Sequence, residues 1–257
     1  MRDGRVVRFA AISCVHCPYH DVDAHANLLA QIREFKPQVF VLLGDLFESE
    51  AASVHPRDVA LDITEEYAVA GQYLLSLRDV CGGECDYVWI LGNHDDNLQA
   101  PDPRRVPKAL RKAVHWNRDY DWGSEFRRWK QIPYVKGREG CYELGQVIFY
   151  HGFDSQAGSD RTECIQMSNA CGGHAHRLGI RGHTHRPLPV TQVSLTSKVP
   201  LAYWYANPGT MGPKKPGYMA RKDSSQWGSG VILGESLVAR PSRMRQGPQW
   251  SAELVRL

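Results

Sequence analysis

The stretch "AAISCVHCPYH", Ala10 to His20, closes an apolar run and supports two incompatible readings. Cys14-Val15-His16-Cys17, followed by Pro18, has the C-x-x-C spacing of a redox dithiol placed where a strand gives way to a helix. Cys14-x-His16 alone has the spacing of two metal ligands at a strand end. The rest of the chain decides between them.

Four further apolar runs end in the same way. "VFVLL" runs into Gly44-Asp45, "YVWIL" into Gly92-Asn93-His94-Asp95, "QVIFY" into His151-Gly152, and "RLGIR" into Gly182-His183-Thr184-His185. Their length and branching fit strands buried on both faces. Helical patterns lie between them. In "DVDAHANLLAQIREF", Ala26, Leu29, Ile32 and Phe35 predict one buried face, with Pro37 as the stop. In "LDITEEYAVAGQYLLSLRDVCGG", Ile63, Tyr67, Ala70, Leu74 and Leu77 predict another, with Gly82-Gly83 as the C-cap. Alternating strands and helices imply an α/β fold whose ligands bind beyond the carboxyl ends of the strands, where all five polar clusters fall.

The 257 residues, 42% of them hydrophobic, are enough for one large core, and a single domain over 1–257 is expected. Neither a signal peptide nor a membrane span is readable, so a soluble, cytoplasmic protein is expected. Seven irregularly spaced cysteines do not resemble a secreted disulfide framework, and most are expected to be reduced, buried thiols. Charge is uneven: residues 1–96 carry 7 basic and 16 acidic groups, residues 97–140 carry 11 and 5, and residues 211–257 carry 8 and 3. An acidic third beside two basic segments suits a cation-binding centre that faces an anionic substrate, although a solvated charged surface gives the same counts.

Each cluster is weak alone. Together, Asp, Asn and four His at successive strand ends, with a cysteine at the first, supply donors for two divalent or trivalent transition metals. "GDLFE", "GNHDD", "YHGF" and "RGHTHRP", in that order and each after a strand, closely resemble the motifs of calcineurin-like metallophosphoesterases, and "ANPGT" at 206–210 fits the same family. The resemblance spans residue 6 to about 212, and the "GNHD" and "GHTH" pair is its most specific part. It implies a metallophosphoesterase-type β-sandwich flanked by helices. A basic, aromatic cap would be inserted at about 97–140, and a basic extension would begin near 213. "KPGYMARKDSSQWGSG" in that tail is similar to phosphoesterases of bacteriophage and prophage genomes.

The resemblance also assigns roles. Asp45 would bridge the metals; His16 and His185, with Cys14, would hold the first, and Asn93, His151 and His183 the second. A hydroxide between the metals would attack phosphorus in line. His94 would protonate the leaving group, with Asp95 orienting its ring. Arg186 would add a charge near the substrate, or form a structural salt bridge. The family pattern is Asp-x-His where this chain has Cys14-Val15-His16. A thiolate there would move the metal preference among Mn, Zn and Fe towards zinc or iron; a cysteine that points away would leave the first metal weakly held. The thioredoxin-like reading explains four residues and leaves the other clusters without a purpose. A structural zinc site on Cys14, Cys17, Cys81 and Cys85 would compete for the same thiol.

"GDLFES" and "GNHDD" depart from the "GDxVDRG" and "GNHE" of the protein phosphatases and point towards phosphodiesterases and nucleases. Lipid-A pathway pyrophosphohydrolases share "GDLFE" and "GHTHRP" but typically carry Arg where His94 stands. The segment 104–134 interleaves Arg104, Arg105 and Lys108 with Trp116, Tyr120, Trp122, Phe126, Trp129 and Tyr134, a combination used on single-stranded nucleic acid. Packing of a cap onto the core would explain most of these aromatics equally well. The expected activity is therefore a two-metal phosphodiesterase on nucleic acid or nucleotide, with no membrane or protein partner. Phosphomonoesterase, pyrophosphohydrolase and a catalytically weak nucleic-acid-binding protein remain as alternatives.

Overall fold

Residues 5–12 send alternate side chains to opposite sides, and from Phe9 onward both sides are buried. In the computed structural model, which describes residues 4–49, 52, 62–99, 123–173, 176–193, 203–213, 224–238 and 247–257, they form strand β1 (Arg5–Ile12). β1 pairs in parallel with β2 (Val39–Leu42), β2 with β3 (Asp86–Ile90), and β3 with β4 (Lys130–Ile132). On its other edge β1 pairs antiparallel with β10 (Gly230–Val238), which pairs with β11 (Trp250–Arg256). A second sheet has the order β5 (Tyr142–Leu144), β6 (Val147–Tyr150), β7 (Leu178–Arg181), β9 (Tyr203–Asn207), β8 (Leu188–Val193). All five apolar runs are strands, namely β1, β2, β3, β6 and β7.

The sheets stack face to face. Val7, Phe9 and Ala11 of β1 meet Leu144, Val147, Phe149, Leu178 and Ile180 of the second sheet. Ala10 and Ile12 point the other way, into a core closed by helices α1 (Val22–Phe35) and α2 (Ile63–Cys81). On the far face of the second sheet, Cys164 and Met167 of α5 (Ser159–Ala170) pack on Tyr203 and Tyr150. This is the helix-flanked β-sandwich of the metallophosphoesterase type.

Three expectations change. The buried face of α1 is Ala24, Leu28 and Ile32, and Ala26 is exposed. Steps of three residues fall short of a full turn by about 60° each and slew around the helix, whereas steps of four stay closer to one line. Of the segment expected as a cap, α4 (Gly123–Arg128) and β4 join the main body, with Phe126 and Trp129 buried in the helix-side core. These two rings are therefore packing residues and not stacking surfaces. The tail expected as an extension supplies β10 and β11, and β10 lies beside β1 in the middle of the sheet. Trp116, Tyr120 and Trp122 lie outside the described residues, as do Arg104, Arg105 and Lys108.

Candidate metal centre

The strand ends deliver their side chains through backbone bent into the left-handed region. Cys14, His16, Asp45, His183 and His185 have φ values of 55°, 53°, 53°, 68° and 58°. Each such residue costs about 1–3 kcal/mol and persists only where its surroundings hold it. Here they do. Cys14 N–H donates to Gly44 O and His16 N–H to Asp45 O, both at 3.0 Å, which ties the first loop to the second. Thr210 Oγ1 donates to Cys14 O at 2.8 Å, and Asn207 Nδ2 lies 3.1 Å from Gly182 O and 2.8 Å from Thr184 Oγ1, so the "ANPGT" turn braces the first and last loops together. A side chain on Gly92 would collide with Asp45 Oδ1, which explains the glycine at that close approach.

Among the described residues three donor groups result: two that share Asp45, and a third made of His16, Glu48 and His94. In the first, one atom each of Cys14, His16, Asp45 and His185 lies within 4.8 Å of the others. His16 and His185 face each other through Nε2 at 3.2 Å, with Asp45 Oδ2 4.0 Å from His16 Nε2. His16 Nδ1 lies 2.9 Å from Glu48 Oε2, on the side of the ring away from the His185 Nε2 that its own Nε2 faces. Cys14 Sγ, fully buried, accepts the His183 N–H at 3.3 Å. In the second cluster, His151 Nε2 lies 3.3 Å from Asp45 Oδ2, 3.2 Å from Asn93 Oδ1 and 3.1 Å from His183 Nδ1. His151 Nδ1 donates to Leu43 O, which turns its Nε2 lone pair towards two acceptor oxygens. Lone pairs opposed at this range repel unless a cation lies between them, so the residues present fit a pair of metal ions. Asp45 belongs to both clusters.

At His183 and His185 the electrostatics agree with ligation, whereas at His151 burial is outweighed by Asp45 and the pKa is raised. Burial, then the neighbouring His151, lowers the His183 pKa to about 3, and burial with His16 holds His185 well below its usual value. Both rings stay neutral near pH 7, the form that ligates. Burial, then Asp45, pushes the Cys14 thiol up, so it needs a cation beside it to become a thiolate.

His94 opens α3 (Asn93–Gln99) at the edge of the clusters. Its N–H donates to Asp45 Oδ1 at 3.0 Å and its Nδ1 to Glu48 O at 2.7 Å, leaving Nε2 unspent on the backbone. Burial opposes a charge on this ring, but Asp45 and Glu48 outweigh it and raise its pKa. Glu48, the last residue of "GDLFE", thus supports both His16 and His94, a role that its place three residues after Asp45 hinted at and sequence reasoning missed.

Asp95 does not orient the His94 ring. Adjacent residues on a helix point about 100° apart, and Asp95 turns into the fold. Its Oδ2 accepts from Asp45 N–H, Gly92 N–H and Trp89 Nε1 at 2.9, 2.9 and 3.2 Å, and its Oδ1 from Leu46 and Phe47 N–H at 3.0 and 3.3 Å. Five donors hold its charge against burial and the Asp45 charge, which raise its pKa to about 7. Asp95→Leu would strand these donors at about 1–3 kcal/mol each, only partly relieved by rearrangement. Urea denaturation is expected to show a loss of at least about 3 kcal/mol; a change under 1 kcal/mol would contradict this role. Arg186 is half-buried, next after His185.

No curated protein matches the chain in sequence. Among solved structures, a metallophosphoesterase from Sphaerobacter thermophilus is 14% identical over 98% of this chain and 88% of its own, with a TM-score of 0.48. The phosphoesterase Yfce from E. coli is 14% identical over 92% and 95%, with a TM-score of 0.40. Vps29 from Chaetomium thermophilum is 12% identical over 97% of each chain, with a TM-score of 0.44. The model of the calcineurin-like phosphoesterase family matches residues 7–187, a span that holds every residue of both donor clusters, and the chain belongs to that family.

Proposed function

We propose that this chain, as one domain over 1–257, is a two-metal phosphodiesterase acting on a nucleic acid or nucleotide. Cys14, His16, Asp45 and His185 would hold one ion, and Asp45, Asn93, His151 and His183 the other. The observation that carries the reading is the sharing of Asp45 between two donor clusters at the strand ends, one buried and one partly buried. Two ions held by these residues would neutralise phosphoryl oxygens and supply the nucleophile near neutral pH. His94 does the complementary work: Glu48 O fixes its Nδ1 proton, and Nε2 is left to carry a proton to the departing ester oxygen. Hydrolysis of bis-p-nitrophenyl phosphate with added Mn²⁺, run beside p-nitrophenyl phosphate, tests this. Faster turnover of the diester supports it, and turnover of the monoester alone overturns the diesterase reading.

Cys14 gives the first ion its character, since sulfur favours zinc or iron over manganese. In Cys14→Asp, the first ion is expected to shift towards manganese when the protein is loaded from a mixture, as read by elemental analysis. Unchanged metal content and identity would show that the thiol is not a ligand. Glu48 orients a ligand from behind, and partners of this kind typically contribute 10- to 100-fold in metal affinity. Glu48→Gln is expected to weaken one of the two binding steps by about that factor in a Zn²⁺ titration, leaving the other intact; two unchanged steps would remove Glu48 from this role.

A further inference from the structure

A half-buried aromatic side chain flanks each end of the centre. Beyond the first cluster, the Trp227 ring stands edge-on to His185, with centroids 4.2 Å apart and planes at 70°. Beyond the second, the Tyr134 ring stands edge-on to His151 at 5.7 Å and 76°. Tyr134 also stacks on Phe153 at 4.7 Å and 23°. His185 and His151 lie in different clusters that share Asp45, so the two rings stand against different parts of the centre. One flank also carries a cation. That cation is Lys136, whose Nζ lies 5.4 Å over the Phe153 ring on the Tyr134 side.

Trp227 comes from the tail and Tyr134 from the segment after β4, so neither belongs to a motif that supplies donor atoms. The Trp227 loop is anchored to the centre. Gly228 N–H donates to His185 O at 3.2 Å beside Trp227. Phe153 N–H donates to both oxygens of Glu163 at 3.0 and 3.2 Å, which fixes the ring on which Tyr134 stacks. A phosphomonoester has one organic group and would use one flank. A diester has two, leaving the tetrahedral phosphorus in different directions, and a ring beside each cluster suits planar groups joined by an anionic backbone.

We propose that Trp227 and Tyr134 are the two walls of the substrate site, and that the substrate is a diester with a planar group on each side of the reacting phosphate, as in a single-stranded dinucleotide unit. The inference rests on the diesterase reading, but its test measures binding and not turnover. Calorimetric titration of the manganese-loaded His94→Ala protein compares thymidylyl-thymidine with dimethyl phosphate, which share the phosphodiester and differ in the planar groups. The dinucleotide is expected to bind at least about tenfold tighter, since each stacked base typically contributes that much. The gap is expected to narrow by about tenfold in Trp227→Leu and in Tyr134→Leu, and to be largely kept in Trp227→Phe and Tyr134→Phe. Metal content, measured in parallel, separates loss of a wall from loss of the centre. Equal affinities, or a gap that both leucine variants leave intact, would overturn the inference. Failure of the wild type to hydrolyse any diester would overturn the diesterase reading instead, whatever the binding shows.

Discussion

Asp45→Asn is expected to lower hydrolysis of bis-p-nitrophenyl phosphate by about a thousandfold or more, with loss of at least one bound metal ion per chain. Asp45 Oδ1 accepts the His94 N–H, while Oδ2 faces His151 at 3.3 Å and His16 at 4.0 Å. An asparagine must turn its amide NH₂ one way or the other. Towards His94 it sets donor against donor; towards the clusters it presents protons where both ions need a shared anion. Either choice removes the one negative charge the two donor sets have in common, and the side chain is nearly the same size, so the fold should persist. Elemental analysis and steady-state kinetics on the same preparation check the result. Full metal content with activity within tenfold of wild type would mean that Asp45 is not the bridging residue.

His94→Ala is expected to behave differently. The residue contributes its backbone N–H to Asp45 and its ring to the edge of the centre, so both ions should remain while turnover falls by about 10²- to 10⁴-fold. The loss should depend on the leaving group. p-Nitrophenolate departs readily without a proton, whereas the alkoxide of a nucleoside does not. The dinucleotide should therefore suffer more than bis-p-nitrophenyl phosphate. An equal loss on both substrates, with metals retained, would assign the ring to binding and not to proton transfer.

The parts of the centre that were legible in the sequence are those where the donor follows directly on a strand. Five apolar runs became five strands, and the residues just after them were brought together because strands of two stacked sheets end on the same side. What the chain order hid was direction. Asp95 follows His94, and the resemblance assigned it to that ring, a contact that helical geometry prevents. Glu48 looked like the polar end of "GDLFE", and only the fold brings its carboxylate to His16 and its carbonyl to His94. On α1, spacings of three and four were both available, and the pattern alone placed Ala26 on the wrong side. β10 was hidden differently: its "GVILGESLV" begins far beyond the last motif, yet pairs in the middle of the first sheet.

The left-handed backbone at five of the donor positions also governs which residues mutation can bring there. Asn, Asp and His enter that region several times more readily than most side chains, whereas β-branched residues are strongly resisted. The loops therefore filter for short polar side chains before any metal binds, and histidine and aspartate pass the filter for their shape as well as their chemistry. Cys14 is the one donor among the five that this filter does not favour. A change to aspartate there would move towards the residue that the backbone itself prefers. The cysteine thus sits at a position from which drift would tend to erase it, unless sulfur at the centre is itself under selection.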